Sequence, residues 1–154
     1  MQPITLINYP LDMQEAWAHA NKLRPTATPY RDKRYNVVLD NWLMARCHSL
    51  FIEQLVQDLG MEGDARYYWQ QPNSYVPDHV DNNTKCGINF ILSEEPAPIT
   101  IQGVDYFYKQ AVIDTTQMHS VRTGNQERVL LKISIYNNSY IEVVKKLGEW
   151  VIDV

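Results

Sequence analysis

Six runs decide the fold: ARYYWQQ (65–71), CGINFIL (86–92), PITIQ (98–102), VDYFY (104–108), QAVID (110–114) and RVLLKISIY (128–136). Each is short, rich in β-branched and aromatic residues, and bounded by Pro, Gly, Asn or Asp, as strands are. In the longest, alternation puts Arg128, Leu130, Lys132 and Ser134 on one face. So many strands, with no helical pattern between them, predict a compact antiparallel barrel or sandwich and argue against alternating βαβ units.

Ahead of these runs, residues 3–60 read as mixed, with two helix candidates. In Leu11–Leu23, the apolar residues Met13, Ala16, Trp17 and Ala20 recur at helical spacing. That pattern stops near Pro25, in the turn-rich segment RPTATPYRDK (24–33). A second helix is expected over about residues 41–59. Asp40 or Asn41 caps it, Leu43, Cys47, Leu50, Phe51, Leu55 and Leu59 form its apolar face, and Gly60 ends it. Leu43, Leu50, Phe51 and Leu55 are expected to pack it on the outer side of a sheet. The reading is one domain over 1–154: mixed support in 1–64, a β core in 65–137, and a C-terminal segment in 138–154 with one more helix.

The chain has 154 residues, 45% hydrophobic and 21% charged, which excludes a disordered chain. Fourteen Lys and Arg against eighteen Asp and Glu give −4, so bulk charge points to no nucleic-acid partner. The basic clusters RDKR (31–34) and KK (145–146) carry no interleaved aromatic stripe and read as solvated faces. Two cysteines, Cys47 and Cys86, are too few for a disulfide scaffold and suit free thiols in a reducing cytoplasm. No apolar run reaches membrane-spanning length, and the N-terminal MQPITLINYP lacks the regions of a signal peptide. GxGxxG, GxxxxGK[ST] and GxSxG are absent, and the cysteines have no zinc spacing.

The stretch Tyr75-Val-Pro-Asp-His-Val-Asp-Asn-Asn contains His79 and Asp81, two apart and therefore able to face one point from a strand end. Alone it also reads as a turn, because Pro77, Asp78, Asn82 and Asn83 are turn formers and Asp81 can cap a loop. His119 stands near the start of another β-rich run, and Arg128 opens the last strand. Two His and one carboxylate on one side of a metal leave open positions, the arrangement expected of non-haem Fe(II) that binds a cosubstrate and O₂. An arginine at the bottom of an apolar barrel offers a planar fork to a dicarboxylic acid. His19 and His48 fall in the helix candidates without ligand-spaced partners.

The series HVDN (79–82), CGINFIL (86–92), HSV (119–121) and ERVLLKISI (127–135) resembles the iron(II)- and 2-oxoglutarate-dependent dioxygenases, particularly their prolyl-hydroxylase-like branch. That pattern is His-x-Asp, a distal His, and an Arg or Lys about ten residues later, and here it spans roughly residues 65–137. The resemblance implies a double-stranded β-helix, the jelly-roll barrel shared with cupins. It implies that His79, Asp81 and His119 ligate iron and that Arg128 pairs with the distal carboxylate of 2-oxoglutarate. It also implies a hydroxylase that consumes 2-oxoglutarate and O₂ to succinate and CO₂, with a prolyl peptide or amino-acid-like substrate. The carboxylate of Asp81 favours hydroxylation over halogenation, since it leaves no ligand position for a halide.

Lys132, on the face of Arg128, is the second candidate for the anion, with the expectation that it lies at the barrel mouth and its ammonium reaches solvent. Asn89 meets either the cosubstrate or a bound water, or it faces solvent at a strand edge. Gln71 is a further candidate against the cosubstrate. Cys86 reads as a buried free thiol. Two other functions fit the same residues. One is a Zn²⁺ or Mn²⁺ hydrolase with Arg128 on an anionic substrate; the other is a non-catalytic jelly-roll binding module.

Overall fold

The computed structural model describes residues 2–32, 37–81, 83–94 and 97–152. Lys33, Arg34 and Asn82 lie outside the described residues. In chain order the elements are β1 (Ile4–Leu6), α1 (Met13–Leu23), β2 (Thr28–Asp32), β3 (Val37–Arg46), α2 (Leu50–Asp58), β4 (Gly63–Gln70), β5 (Tyr75–His79) and β6 (Cys86–Ile91). They continue with β7 (Ile99–Ile101), β8 (Val104–Tyr106), β9 (Gln110–Ile113), β10 (His119–Arg122), β11 (Arg128–Ile135) and α3 (Tyr140–Lys146). Among the described residues, no helix is long and apolar enough to cross a membrane.

Two antiparallel sheets face each other. The larger has the order β1-β9-β6-β11-β4-β3-β2 and the smaller β5-β10-β7-β8. From β4 to β11 the chain passes back and forth between them, which is the winding of a double-stranded β-helix. All six expected runs are strands.

Period-two alternation divides the core in two. Tyr68, Ile91, Ala111, Ile113 and Leu130 of the larger sheet meet Val76, Ile99, Ile101 and Val121 of the smaller inside the barrel. The alternate residues Tyr67, Trp69, Ile88, Phe90, Leu131 and Ile133 face outward and are covered by Ala20 of α1, Ile52 and Leu55 of α2, and Tyr140 and Val143 of α3. Strand β11 sits at the centre, paired along its length with β4 and β6. Its inward face nevertheless carries Arg128 and Lys132, a conflict between local polarity and burial of the sort that marks functional positions.

The helix ends follow capping chemistry. The Asp12 side chain accepts the Glu15 backbone N–H at 3.0 Å at the start of α1. Ser139 and Glu142 close a capping box on α3. Gly60 follows α2 with φ 67°, a left-handed turn that glycine adopts at no steric cost.

The second helix candidate needs correction. Residues 37–46 are a strand, paired Trp42↔Gln70 through Arg46↔Arg66 with β4, and the helix begins at Leu50 behind Ser49. Leu39, Leu43 and Cys47 happen to recur every four residues, but the segment also alternates, and pairing with β4 decides the outcome. His48 therefore lies in the strand-to-helix connection and not in a helix. The buried face of α2 is Ile52 and Leu55, whereas Leu50 is 83% and Phe51 48% exposed. On α1, Ala16 and Ala20 are the buried positions and Trp17 lies at the surface. Together β1, β2 and β3 extend the larger sheet, so the first sixty residues contribute strands as well as helices. Pro29 sits in β2, the sheet's edge strand, where its missing N–H disrupts no central ladder.

Candidate metal centre

The rim strands bring the three sequence-picked residues together. His119 opens β10 and is the cross-strand partner of His79, the last residue of β5. Two residues on, the Asp81 backbone N–H donates to Thr115 O at 3.0 Å, which fixes the loop so that its carboxylate turns back toward both rings. Asp81 Oδ1 lies 3.5 Å from His79 Nε2 and 3.4 Å from His119 Nε2. One potential ligand atom from each residue falls within 4.8 Å of the other two.

Both imidazoles are oriented in the same way. His79 Nδ1 lies 2.7 Å from Pro77 O and His119 Nδ1 2.7 Å from Gln117 O. A carbonyl only accepts, so each Nδ1 carries the proton and each Nε2 keeps its lone pair for the shared point. Asp114, just before this loop, is occupied elsewhere: its carboxylate accepts from Thr116 N–H and the Gln117 amide, shaping the turn into His119. The donor set, two neutral imidazole nitrogens and one carboxylate oxygen at one convergence point, fits a divalent transition metal such as iron(II).

Lys132 corrects one expectation. Its ammonium does not reach solvent; Nζ donates to Asp81 Oδ2 at 2.6 Å, and the two side chains are 12% and 15% exposed. Burial alone would raise the Asp81 carboxyl, but the Lys132 charge holds it well below the usual carboxylate range. Burial would likewise lower Lys132; the Asp81 carboxylate overrides it and raises the ammonium above its ordinary value.

Further along the inward face of β11, Arg128 is 2% exposed. Its Nη1 donates to Gln70 Oε1 at 2.8 Å, its Nη2 to Tyr108 Oη at 3.0 Å, and its Nε to Ala97 O at 3.3 Å. All three acceptors are neutral. Among the described residues, no carboxylate lies within ion-pair distance of this guanidinium. A buried guanidinium whose described partners are all neutral keeps N–H donors able to take an anionic ligand.

Asn89 is buried and joins this group, its Nδ2 donating to Tyr108 Oη at 3.0 Å while Oδ1 has no partner. That excludes the solvent-edge alternative. Gln71 does not point inward: its amide donates to Glu127 Oε2 at 2.8 Å, outside this cluster. Its neighbour Gln70 is the glutamine beside Arg128. Cys86 and Cys47 are buried free thiols.

Two residues of the cluster escaped the sequence reading. Gln70 shares parity with the inward Tyr68 in ARYYWQQ, a signal that was available. Tyr108 had none, because only the barrel's closure brings the end of VDYFY against Arg128.

No family model matches the chain, and no curated protein matches it in sequence. Its fold, however, is that of solved structures. A prolyl hydroxylase from Trichoplax adhaerens, in complex with a hypoxia inducible factor oxygen degradation domain peptide fragment, aligns with a TM-score of 0.67 at 9% identity, covering 95% of this chain and 85% of that one. A Pseudomonas putida prolyl-4-hydroxylase gives 0.63 at 13% identity over 88% and 91% of the two chains. The viral collagen prolyl hydroxylase of Paramecium Bursaria Chlorella virus-1, solved as a 2-oxoglutarate complex, gives 0.61 at 10% identity over 87% and 96%. The chain thus shares the double-stranded β-helix fold of these solved structures.

Proposed function

We propose that this protein is an Fe(II)- and 2-oxoglutarate-dependent oxygenase, a hydroxylase of a peptidyl or small amino-acid-like substrate. The observation that carries the reading is Arg128: a buried guanidinium whose described partners are all neutral, inside a barrel whose rim holds His79, Asp81 and His119. Two poles, one for a metal and one for a carboxylate, suit a ligand that is both a chelator and an anion. The fold neighbours, one solved with 2-oxoglutarate and one with a peptide, support the same reading.

On this reading the Nε2 atoms of His79 and His119 and an oxygen of Asp81 hold iron, which together with 2-oxoglutarate and O₂ supplies the oxidising chemistry and yields succinate and CO₂. The protein's own residues bind, orient and shield. Arg128 forks onto the distal carboxylate, and Gln70 and Tyr108 hold the guanidinium in register. Asn89 is fixed by Tyr108 and keeps a buried Oδ1 without a hydrogen-bond partner. Leu130, Ile91, Ile101 and Val121 keep that interior dry, which strengthens each charged contact within it.

Beside the metal pole, Tyr30 stacks on Trp42 at 4.8 Å, and the Trp42 ring lies 5.9 Å from that of His79. This aromatic wall suits an apolar ring such as a prolyl side chain. Two buried free thiols suit a reducing cytoplasm.

The test is anaerobic titration of Fe(II) and 2-oxoglutarate together. A visible metal-to-ligand charge-transfer band that requires both, followed by succinate formation on admitting O₂, is expected. No band with either a bound metal or bound 2-oxoglutarate would replace this reading by the hydrolase or the binding module.

A further inference from the structure

The oxygenase reading assigns no task to Lys132, although its ammonium is bound to the Asp81 carboxylate of the metal pole. A positive charge beside a divalent-cation site repels the ion it adjoins. Its presence calls for a reason.

The carboxylate itself supplies one. Both imidazole Nε2 atoms approach Oδ1 of Asp81, at 3.5 and 3.4 Å, while Lys132 Nζ holds Oδ2 at 2.6 Å. The two oxygens are therefore differentiated by the chain before any metal arrives. Lys132 is fixed in place by its strand, with Arg66 and Asn89 as its cross-strand partners. Its stem also needs the small residue beside it: a Cβ at Gly87 would come 3.3 Å from Lys132 Cε and 3.3 Å from Asn89 Oδ1. The sheet is trimmed to hydrogen where the lysine crosses toward Asp81.

We propose, resting on the oxygenase reading, that Lys132 is a positioning residue that restricts Asp81 to one metal-ligating oxygen. A free carboxylate can ligate through one oxygen or both. Three protein atoms on an octahedral ion leave three positions, enough for a two-point chelator plus O₂. A second oxygen from Asp81 would take one of them. The hydrogen bond to Oδ2 prevents that, and the repulsion between ammonium and metal is the accompanying cost.

The experiment loads the full-length protein with Mn(II) and counts its exchangeable waters by water-proton relaxation, with Mn(II) affinity and 2-oxoglutarate affinity measured alongside. Lys132→Met should bind Mn(II) at least as tightly as the wild type, yet lose about one water of three and bind 2-oxoglutarate roughly tenfold more weakly. Lys132→Arg, which keeps a charged donor, should restore part of the water count.

If Lys132→Met fails to fold, Gly87→Ala crowds the same stem and should lower the water count in the same direction. An unchanged water count and 2-oxoglutarate affinity in Mn(II)-loaded Lys132→Met, or in Gly87→Ala where that variant stands in, would overturn the proposal and leave the oxygenase reading intact. Failure of the wild-type protein to bind 2-oxoglutarate at all would instead remove the oxygenase reading beneath it.

Discussion

At the scale of single residues, Arg128 and the Asp81–Lys132 pair make different predictions because their partners differ. Arg128 touches no metal donor, so Arg128→Ala should leave Fe(II) affinity nearly unchanged. It should weaken 2-oxoglutarate binding by roughly 2–5 kcal/mol, the cost of leaving a buried carboxylate without its charged partner. Arg128→Lys should recover only part, lacking the planar fork. Titrating 2-oxoglutarate into the iron-loaded variants checks both. His79→Ala, Asp81→Ala and His119→Ala should each abolish tight metal binding, but Asp81→Ala should do more. It leaves the Lys132 ammonium buried without its anion, a loss of about 3–5 kcal/mol in unfolding free energy for such pairs. Chemical denaturation of the metal-free variants should show that excess, and Asp81→Ala combined with Lys132→Met should recover most of it. The positions of His79, Asp81, His119 and Arg128 were legible because period two puts alternate residues on one side and the spacings do the rest. The fate of Lys132 was not, because its partner comes from the loop after β5 and no local rule names it. Gln71 differs: parity with the inward Tyr68 already marks its neighbour Gln70, so that choice was open to the local pattern.

At the scale of elements, α2 and β6 are the informative cases. The sequence periodicity merged a strand and a helix because Leu43, Cys47, Leu50 and Leu55 fit a helical face across the break at Ser49. Burial separates them: Ile52 is 2% and Leu55 6% exposed, against 83% for Leu50. Ile52→Ala and Leu55→Ala should therefore each cost about 2–5 kcal/mol, whereas Leu50→Ala should fall within about 0.5 kcal/mol of the wild type. Equal losses at all three positions would return the helix to its sequence-based face. Strand β6 gives a chemical handle. Burial, with the Asp114 and Glu142 charges behind it, pushes the Cys86 thiol up to about 12. In the folded protein it should resist iodoacetamide at pH 8 and react only on unfolding. The sign for stability follows: Cys86 has no pH effect below its ordinary value of 9.0, and it makes the fold less stable as pH rises from there toward about 12. Cys86→Ala should flatten that part of the profile.

For the whole molecule, the barrel joins its two poles through a shared apolar interior, and both belong to the core that holds the sheets together. The change of period at residue 65 announced this core, since strands without intervening helices bury their inner faces against each other. What it hid was the contribution of β1, β2 and β3, whose sheet positions depend on long-range pairing with β9 and β4 and not on local pattern. Strand β11 feeds side chains into both layers of the core, so a global readout of ligand binding is available. A ligand that binds only the folded state stabilises it by about 2.7 kcal/mol at one hundred times its dissociation constant. For a chain of this size that corresponds to a rise of roughly 5–10 °C in the unfolding temperature. Iron(II) alone should give a first increment, and 2-oxoglutarate added anaerobically a second within the same single transition. In Arg128→Ala the first increment should remain and the second should largely disappear, because only the carboxylate pole has been removed. In Asp81→Ala both should be lost, since the cosubstrate chelates a metal that is no longer held. If 2-oxoglutarate stabilised Arg128→Ala as much as the wild type, the anion would be binding elsewhere, and the buried guanidinium, whose described partners are neutral, would need another ligand.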